Sequence, residues 1–209
     1  MRLLKIEPAA NKSDRFILRF EDETSLVCGL GEISDYCLHS DMELEPETYK
    51  SLYEACQYYK AKEKAAQLLS ALPLSSGELR QKLTEKGISP EHSEKAVAWL
   101  EGLGLLNDAE YALLVVRHYA AKGYGTARIK NELYRHRVPK SLWEEALEQM
   151  PDNGDRVQRF INSRLKGAKP DDRERKKLAE ALLRRGFSWD EIKSAISQYE
   201  ENAENTEEV

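Results

Sequence analysis

The chain has 209 residues, a formal net charge of -5 and 41% hydrophobic residues, which is long and apolar enough to bury a core. No stretch approaches the ~18 consecutive apolar residues of a membrane span, and this excludes an integral membrane protein. The three cysteines form no CxxC pair, and an odd number cannot be fully paired within one chain. We therefore expect a soluble protein of the reducing cytoplasm.

Charge is unevenly distributed along the chain. Residues 1–61 carry 7 basic and 12 acidic side chains, whereas residues 122–199 carry 18 basic and 12 acidic, a net charge of +6. Binding to a polyanion, if it is electrostatic, therefore belongs to residues 122–199. The last ten residues, 200–209, hold five acidic side chains and no basic one. Because these charges repel each other, we expect an acidic disordered tail there.

The first 45 residues predict a small β-element followed by a short helix. Apolar and polar residues alternate in three short runs, Leu4–Ile6, Phe16–Phe20 and Leu26–Cys28. This pattern is typical of two or three antiparallel strands, which need a helix to pack against. A short helix over Glu32–Leu38 and a long helix over Glu47–Leu72 follow in the predicted order.

From Leu68 to Tyr199 the chain repeats itself. The segments 78–100, 128–150 and 177–199 align without a gap, and their matching positions are apolar or small at helical spacing. Another amphipathic segment precedes each pair of helices. We predict a mainly α fold of three tandem three-helix repeats, forming a curved elongated array. The boundaries are residues 46–106, including the linking helix, residues 107–151 and residues 152–199.

The matching positions form six rows, each with one member from every repeat. They are Leu79, Ile129 and Leu178; Leu83, Leu133 and Leu182; Ile88, Val138 and Phe187; Ala96, Ala146 and Ala195; Val97, Leu147 and Ile196; and Leu100, Met150 and Tyr199.

The second helix of each repeat is followed by a turn signal. Gly87 and Gly186 stand where a left-handed residue closes a helix. In the second repeat Arg137 takes that position, which costs strain or requires a different turn.

Nothing in the sequence indicates an enzyme. No GxxxxGK[ST] loop and no GxGxxG element occurs. Cys37 and His39 lie close together but lack two further ligands at metal spacing. We therefore predict a non-enzymatic protein with no catalytic residue, no metal, no cofactor and no small-molecule substrate.

The last two helices of each repeat could form a helix-turn-helix that reads DNA bases. The helices that would enter the groove are Pro90–Leu100, Lys140–Met150 and Trp189–Tyr199, and all three carry acidic side chains. Because these carboxylates would repel phosphates, base reading by these helices is not expected.

The order and spacing of several short motifs resemble the RecX family. The second repeat carries LGLLND at residues 103–108, Tyr111-Ala112, Arg117 and KGYG at residues 122–125, followed by Arg128, Ile129, Glu132 and Leu133. The flanking repeats carry SGELRQKL at residues 76–83 with Gly87, and LRRGF at residues 183–187. The resemblance covers about residues 60–199, and the small N-terminal β-element also occurs in some members of the family.

The resemblance implies a function. Proteins of this family bind the RecA recombinase filament on DNA and usually inhibit its strand exchange, ATPase and co-protease activities. It therefore implies a regulator of recombination, DNA repair and the SOS response, whose partner is the RecA filament and whose side chains also meet the DNA backbone.

Charge placement indicates the same region for binding. On the helix predicted at residues 126–136, Ile129 and Leu133 share the buried face, and the cations lie opposite. We predict a partner-binding and DNA-binding surface formed by Lys122, Tyr124, Arg128, Lys130, Tyr134, Arg135, Arg137, Lys140, Arg173, Arg175, Lys176, Lys177, Arg184 and Arg185. Two other hypotheses stay open: a general DNA-binding regulator that uses the basic repeats, and a structural scaffold without nucleic acid.

Overall fold

The structure is a computed structural model, and it describes residues 1–9, 14–150, 153–166 and 169–207. Most of the described chain is helical, with a small antiparallel sheet at its N-terminal end. The chain divides into two compact units, residues 1–106 and residues 107–209. The division falls at the predicted boundary between the first and second repeats.

The sheet of the first unit has four strands in the order β3-β2-β1-β4, and all neighbouring strands pair antiparallel. The alternating runs predicted two or three strands, and the additional strand is the two-residue β4. A short helix, α1, follows β3 at Leu30–Asp35, which is slightly earlier than the predicted Glu32–Leu38. The strands are β1 Arg2–Pro8, β2 Arg15–Phe20, β3 Ser25–Gly29 and β4 Met42–Glu43.

A 26-residue helix, α2, runs from Pro46 to Ala71 and belongs to two hydrophobic clusters. In its first half, Leu52 and Cys56 pack with the apolar face of the sheet. In its second half, Ala61 and Ala65 pack with the helices of the first repeat. The sheet alone is too small to be stable, and α2 supplies the surface that covers it.

Within the described residues, each repeat has three helices. The first repeat consists of the second half of α2, α3 Ser76–Glu85 and α4 Pro90–Gly102. The second consists of α5 Asp108–Ala121, α6 Thr126–Arg135 and α7 Trp143–Glu148, with a 3-10 turn at Lys140–Leu142 before α7. The third consists of α8 Asn153–Leu165, α9 Asp172–Arg184 and α10 Trp189–Glu207.

The six predicted rows form the interiors of the repeats. Leu83, Leu133 and Leu182 are fully buried, and Ala96, Ala146 and Ala195 are buried behind them. The second and third repeats have separate hydrophobic clusters, each built from its own three helices. The three-helix repeat is therefore a physical unit of packing as well as a sequence period.

All three repeats end their second helix with the same left-handed turn. The turn residue has φ +81° at Gly87, +52° at Arg137 and +88° at Gly186. In each repeat the next N–H donates to the carbonyl five residues earlier, as from Val138 to Leu133 at 3.0 Å. Arg137 therefore adopts the turn of its glycine counterparts and carries the strain of a side chain there.

The predicted disordered tail is wrong for residues 200–207. Helix α10 continues through this segment to Glu207, whereas residues 208 and 209 lie outside the described residues. Glu200 accepts a hydrogen bond from the Arg175 side chain at 2.6 Å, so the start of this segment is tied to α9. Glutamate has a high helix propensity, and this outweighs the mutual repulsion of the acidic side chains.

Leu133→Ala should lower the free energy of unfolding by ~2–5 kcal/mol, because it leaves a cavity among the fully buried residues of the second repeat. The exposed neighbour Asn131 is a matched control, and Asn131→Ala should change stability by less than ~0.5 kcal/mol. Urea titration followed by circular dichroism measures both. Equal stability of the two variants would contradict the assignment of this row to the core.

Candidate functional site

A group of exposed aromatic and basic side chains lies where α6 ends and α7 begins. We call this group the α6–α7 patch. It surrounds a cavity of about 350 Å³ and consists of Tyr134, Arg135, Arg137, Val138, Lys140 and Trp143. Tyr134 is 69% exposed, whereas a tyrosine in a folded protein is usually at least half-buried. An exposed aromatic ring among three cations is an arrangement suited to a nucleoprotein surface.

The patch follows from the way α6 packs. Ile129 and Leu133 face the core, whereas Lys130, Asn131 and Tyr134 point to solvent. The structure thus places Lys130 and Tyr134 on the outer face, as the sequence indicated. Trp143 was not predicted as a site residue; its indole N–H donates to the Val138 carbonyl at 3.0 Å, which holds the ring at the edge of the patch.

Two predicted cations on α6 have a structural role. Glu132 is only 2% exposed and lies within 2.9 Å of the Arg128 guanidinium and 3.3 Å of that of Arg135. The sequence predicts Arg128 on the outer face, whereas in the structure its side chain is half-buried against this carboxylate. Burial and the Glu132 carboxylate together raise the pKa of Tyr119. Arg128 and Arg135 therefore neutralise a buried charge, and reversing them would damage the fold.

The second and third repeats meet through direct contact of their backbones. The N–H of Gly125 donates to the Arg185 carbonyl at 2.8 Å, and the N–H of Ala127 donates to the Gly186 carbonyl at 3.1 Å. A Cβ atom on Gly125 would collide with the backbone of Gly186, and one on Gly186 would collide with Arg128. Only glycine at both positions allows this approach.

A second cavity, of about 370 Å³, lies beside this junction. We call it the arginine cavity. Arg185 donates to the carbonyls of Lys122 and Gly123 at 3.4 and 3.3 Å, and Arg156 donates to the Tyr124 carbonyl at 2.8 Å. The cavity is lined by Arg117, Ala120, Ala121, Lys122, Gly123, Arg156, Arg159, Phe160 and Arg185.

Tyr124 is a component of the repeat junction. Its ring is half-buried in the cluster of the second repeat, 5.8 Å from the Arg128 guanidinium and 5.9 Å from that of Arg185. The sequence predicts Tyr124 at the binding surface, and the structure places its ring at the repeat junction, between Arg128 and Arg185.

The predicted cations of the third repeat lie in different surroundings. Arg173, Lys176, Lys177 and Arg184 are exposed on α9. Arg175 forms ion pairs with Asp172 at 2.9 Å and with Glu200 at 2.6 Å, so its charge is balanced within the repeat. Of the third-repeat residues predicted for the surface, the structure brings only Arg185 into the arginine cavity.

Most of the arginine cavity is not predicted from the sequence. Arg117 belongs to the motifs of the family resemblance, and Arg156, Arg159 and Phe160 belong to the amphipathic segment that precedes the last two helices of the third repeat. Helical periodicity gives no signal for Arg156, which is only 5% exposed although it lies about 100° around α8 from the buried Val157. A buried arginine needs a specific partner, and the Tyr124 carbonyl that it contacts is distant in the sequence.

The described part of the chain holds no group of three His, Cys, Asp or Glu side chains that could bind a metal ion. Within the same residues, no helix combines the length and apolar character that a membrane crossing requires.

Comparison with known proteins identifies the three repeats individually. Family models described as the first, second and third three-helix domains of RecX match residues 61–100, 107–147 and 156–196. The chain belongs to the RecX family. The models cover more than half of its length and follow the order in which the repeats occur.

Relatives in the RecX family extend this match. "Regulatory protein RecX" of Vibrio parahaemolyticus is 35% identical over 68% of this chain and 93% of its own length. The protein of the same name from Caldanaerobacter subterraneus is 28% identical over 94% of this chain and 97% of its own. A crystal structure of regulatory protein RecX, 21% identical, superposes with a TM-score of 0.73 over 93% of this chain and 98% of its own, and so shares the fold.

Gly186→Ala should destabilise the protein more than Gly87→Ala. Both glycines have positive φ, so each change carries the strain of a side chain in a left-handed turn. A Cβ atom meets open space at residue 87 but collides with Arg128 at residue 186, which should add ~1–3 kcal/mol. Thermal and urea unfolding measure the difference. Equal losses would mean that the repeats do not meet at Gly186.

Arg137→Gly should stabilise the protein by ~1 kcal/mol, because it removes the strain of a side chain at φ +52°. The same change deletes a cation from the α6–α7 patch. Arg137→Ala provides the control, since it deletes the cation but retains the strained turn and should not gain this stability. Unfolding midpoints in urea separate the two variants, and a less stable Arg137→Gly protein would argue against strain at this residue.

Proposed function

We propose that this protein binds the RecA recombinase filament on DNA and lowers its recombinase, ATPase and co-protease activities. The observation that carries the proposal is the α6–α7 patch, in which the exposed ring of Tyr134 stands among three cations. Membership of a family named for regulatory proteins supports it. The protein acts by binding, in the cytoplasm, and needs no cofactor.

The charge distribution supports a nucleoprotein partner. The net charge of +6 over residues 122–199 contrasts with a net charge of -5 for the whole chain. A filament of recombinase on DNA exposes phosphates, so cations on the protein gain from the release of counterions. Exposed aromatic rings add contact area and stacking at such surfaces. Lys130 and Arg173, Lys176, Lys177 and Arg184 of α9 are further exposed cations of the same unit.

A general DNA-binding regulator is the second candidate, and the same aromatic and basic patch favours it. The two functions differ in stoichiometry. A modulator of the filament acts at ratios well below one per recombinase protomer, whereas a competitor for DNA must cover the lattice. A scaffold without a nucleic-acid partner predicts no salt-sensitive binding at all.

The deciding experiment is an assay of RecA ATPase on single-stranded DNA with the full chain titrated in. We expect the rate to fall at substoichiometric ratios. An unchanged rate in stoichiometric excess would remove the proposed function, and a fall only at lattice coverage would favour the second candidate.

Lys130→Glu, Tyr134→Ala and Lys140→Glu, combined in one variant, should abolish most of the effect on RecA while leaving the fold intact. All three side chains are exposed, and none of them pairs with the buried Glu132. Removing two cations should also make filament binding less dependent on salt. The slope of log K against the logarithm of the salt concentration should fall by about one for each phosphate that the protein no longer neutralises. Anisotropy with labelled filaments at several salt concentrations measures this.

The matched control is Lys5→Glu, Lys50→Glu and Tyr53→Ala, which makes the same chemical changes at exposed positions of the first unit. It should retain binding. If this control loses binding while the α6–α7 variant keeps it, the interface lies in the first unit.

A further inference from the structure

The arginine cavity brings together five basic side chains from three separate parts of the second unit. Arg117 and Lys122 come from α5 and its C-terminal end, Arg156 and Arg159 from α8, and Arg185 from the end of α9. The nine residues that line the cavity, all in the described part of the chain, include no aspartate and no glutamate. Arg117, Lys122 and Arg185 alone place three like charges around one volume, and their mutual repulsion favours an anion inside it.

The inner part of the cavity is held in place by the backbone. The carbonyls of residues 122–124, in the turn between α5 and α6, accept hydrogen bonds from the guanidinium groups of Arg185 and Arg156. Arg185 also lies over the Phe160 ring, 4.7 Å from its centroid. Carbonyls and a ring orient the Arg185 guanidinium without removing its charge. A ligand therefore meets guanidinium groups whose orientation is already fixed, which lowers the entropy cost of binding.

We propose that the arginine cavity binds a phosphate group. Arginine presents paired N–H donors that match the oxygens of a phosphate or a carboxylate, and several cations around one volume favour the more highly charged phosphate. A cavity of about 370 Å³ lies within the size range of sites that hold small ligands. The exposed side chains of Arg117, Lys122 and Arg159 leave the cavity open to solvent on one side, so a phosphate carried on a larger molecule can enter.

Three sources could supply such a phosphate: a free nucleotide, the 5′ end of a DNA strand, or the backbone of single-stranded DNA. All three share the chemistry that the cavity recognises. The site lies apart from the α6–α7 patch, since the two share no residue. Its role in regulating a filament rests on the proposed function, whereas phosphate binding itself does not.

The test uses the full chain without any recombinase. The probes are inorganic phosphate, adenosine monophosphate, and a short oligothymidylate with either a 5′-hydroxyl or a 5′-phosphate, all at equal ionic strength. Calorimetry measures the first two and fluorescence anisotropy the oligonucleotides. The variant is Arg117→Glu with Lys122→Glu, which reverses two exposed cations at the mouth of the cavity. A second variant, Arg117→Gln, removes one exposed cation with less perturbation and keeps the test readable if the first variant unfolds.

The control is Lys86→Glu with Lys193→Glu, which makes the same change in net charge at exposed positions outside the cavity. We expect the double variant at the cavity to weaken binding of at least one probe by about tenfold or more, and the control by about twofold or less. If the cavity variant weakens binding only of the oligonucleotide with a 5′-phosphate, the ligand is the end of a DNA strand. If it weakens binding of both oligonucleotides equally, the ligand is the DNA backbone. If it weakens binding of the small probes alone, the ligand is a free nucleotide.

Two results would overturn the inference: no binding of any probe by the parent protein, or equal weakening in the cavity variants and the control. Neither result bears on the ATPase assay, because that assay reports on the recombinase. Conversely, an unchanged ATPase rate together with cavity-dependent phosphate binding would remove the proposed function and leave this site in place.

Discussion

The close contact between Gly125 and Gly186 sets the geometry of the second unit. Two backbones can approach this closely only where neither carries a side chain, and the hydrogen bonds from Gly125 and Ala127 fix their register. Because the contact joins the start of α6 to the end of α9, it also determines where Arg185 points. The arginine cavity is thus a product of how the repeats dock, and a single repeat could not form it.

The cations on α6 and in the segment after it differ in whether they pair with the buried Glu132. Arg128 and Arg135 balance its charge, so their position is dictated by the fold. Lys130 and Lys140 do not pair with Glu132 and are available to a partner. A basic surface read from sequence counts both groups together, although only the second can be changed without a cost in stability. The same distinction separates Arg175, which pairs with Asp172 and Glu200, from the neighbouring Lys176 and Lys177.

The repeats could be predicted from sequence because their apolar rows recur at a fixed spacing, and all three leucines of the row that contains Leu133 are fully buried. The exposed face of α6 followed from the same periodicity. The arginine cavity could not be predicted, since Arg117, Arg159 and Arg185 are far apart in the chain and meet only after the repeats dock. Helical periodicity also cannot reveal a buried carboxylate such as Glu132, because its partners decide whether burial is tolerated. The helical tail could not be predicted, because the sequence shows only charges that repel each other, whereas the ion pair between Arg175 and Glu200 forms only in the fold.

Helix α2 belongs to the core of the sheet and to the core of the first repeat. If either half of this helix were removed, one of the two cores would lose the surface that covers it. The first matched domain of the family begins at residue 61, in the middle of α2. The N-terminal sheet and the first half of α2 therefore form one packing unit, and the boundary between that unit and the first family domain lies inside a continuous helix.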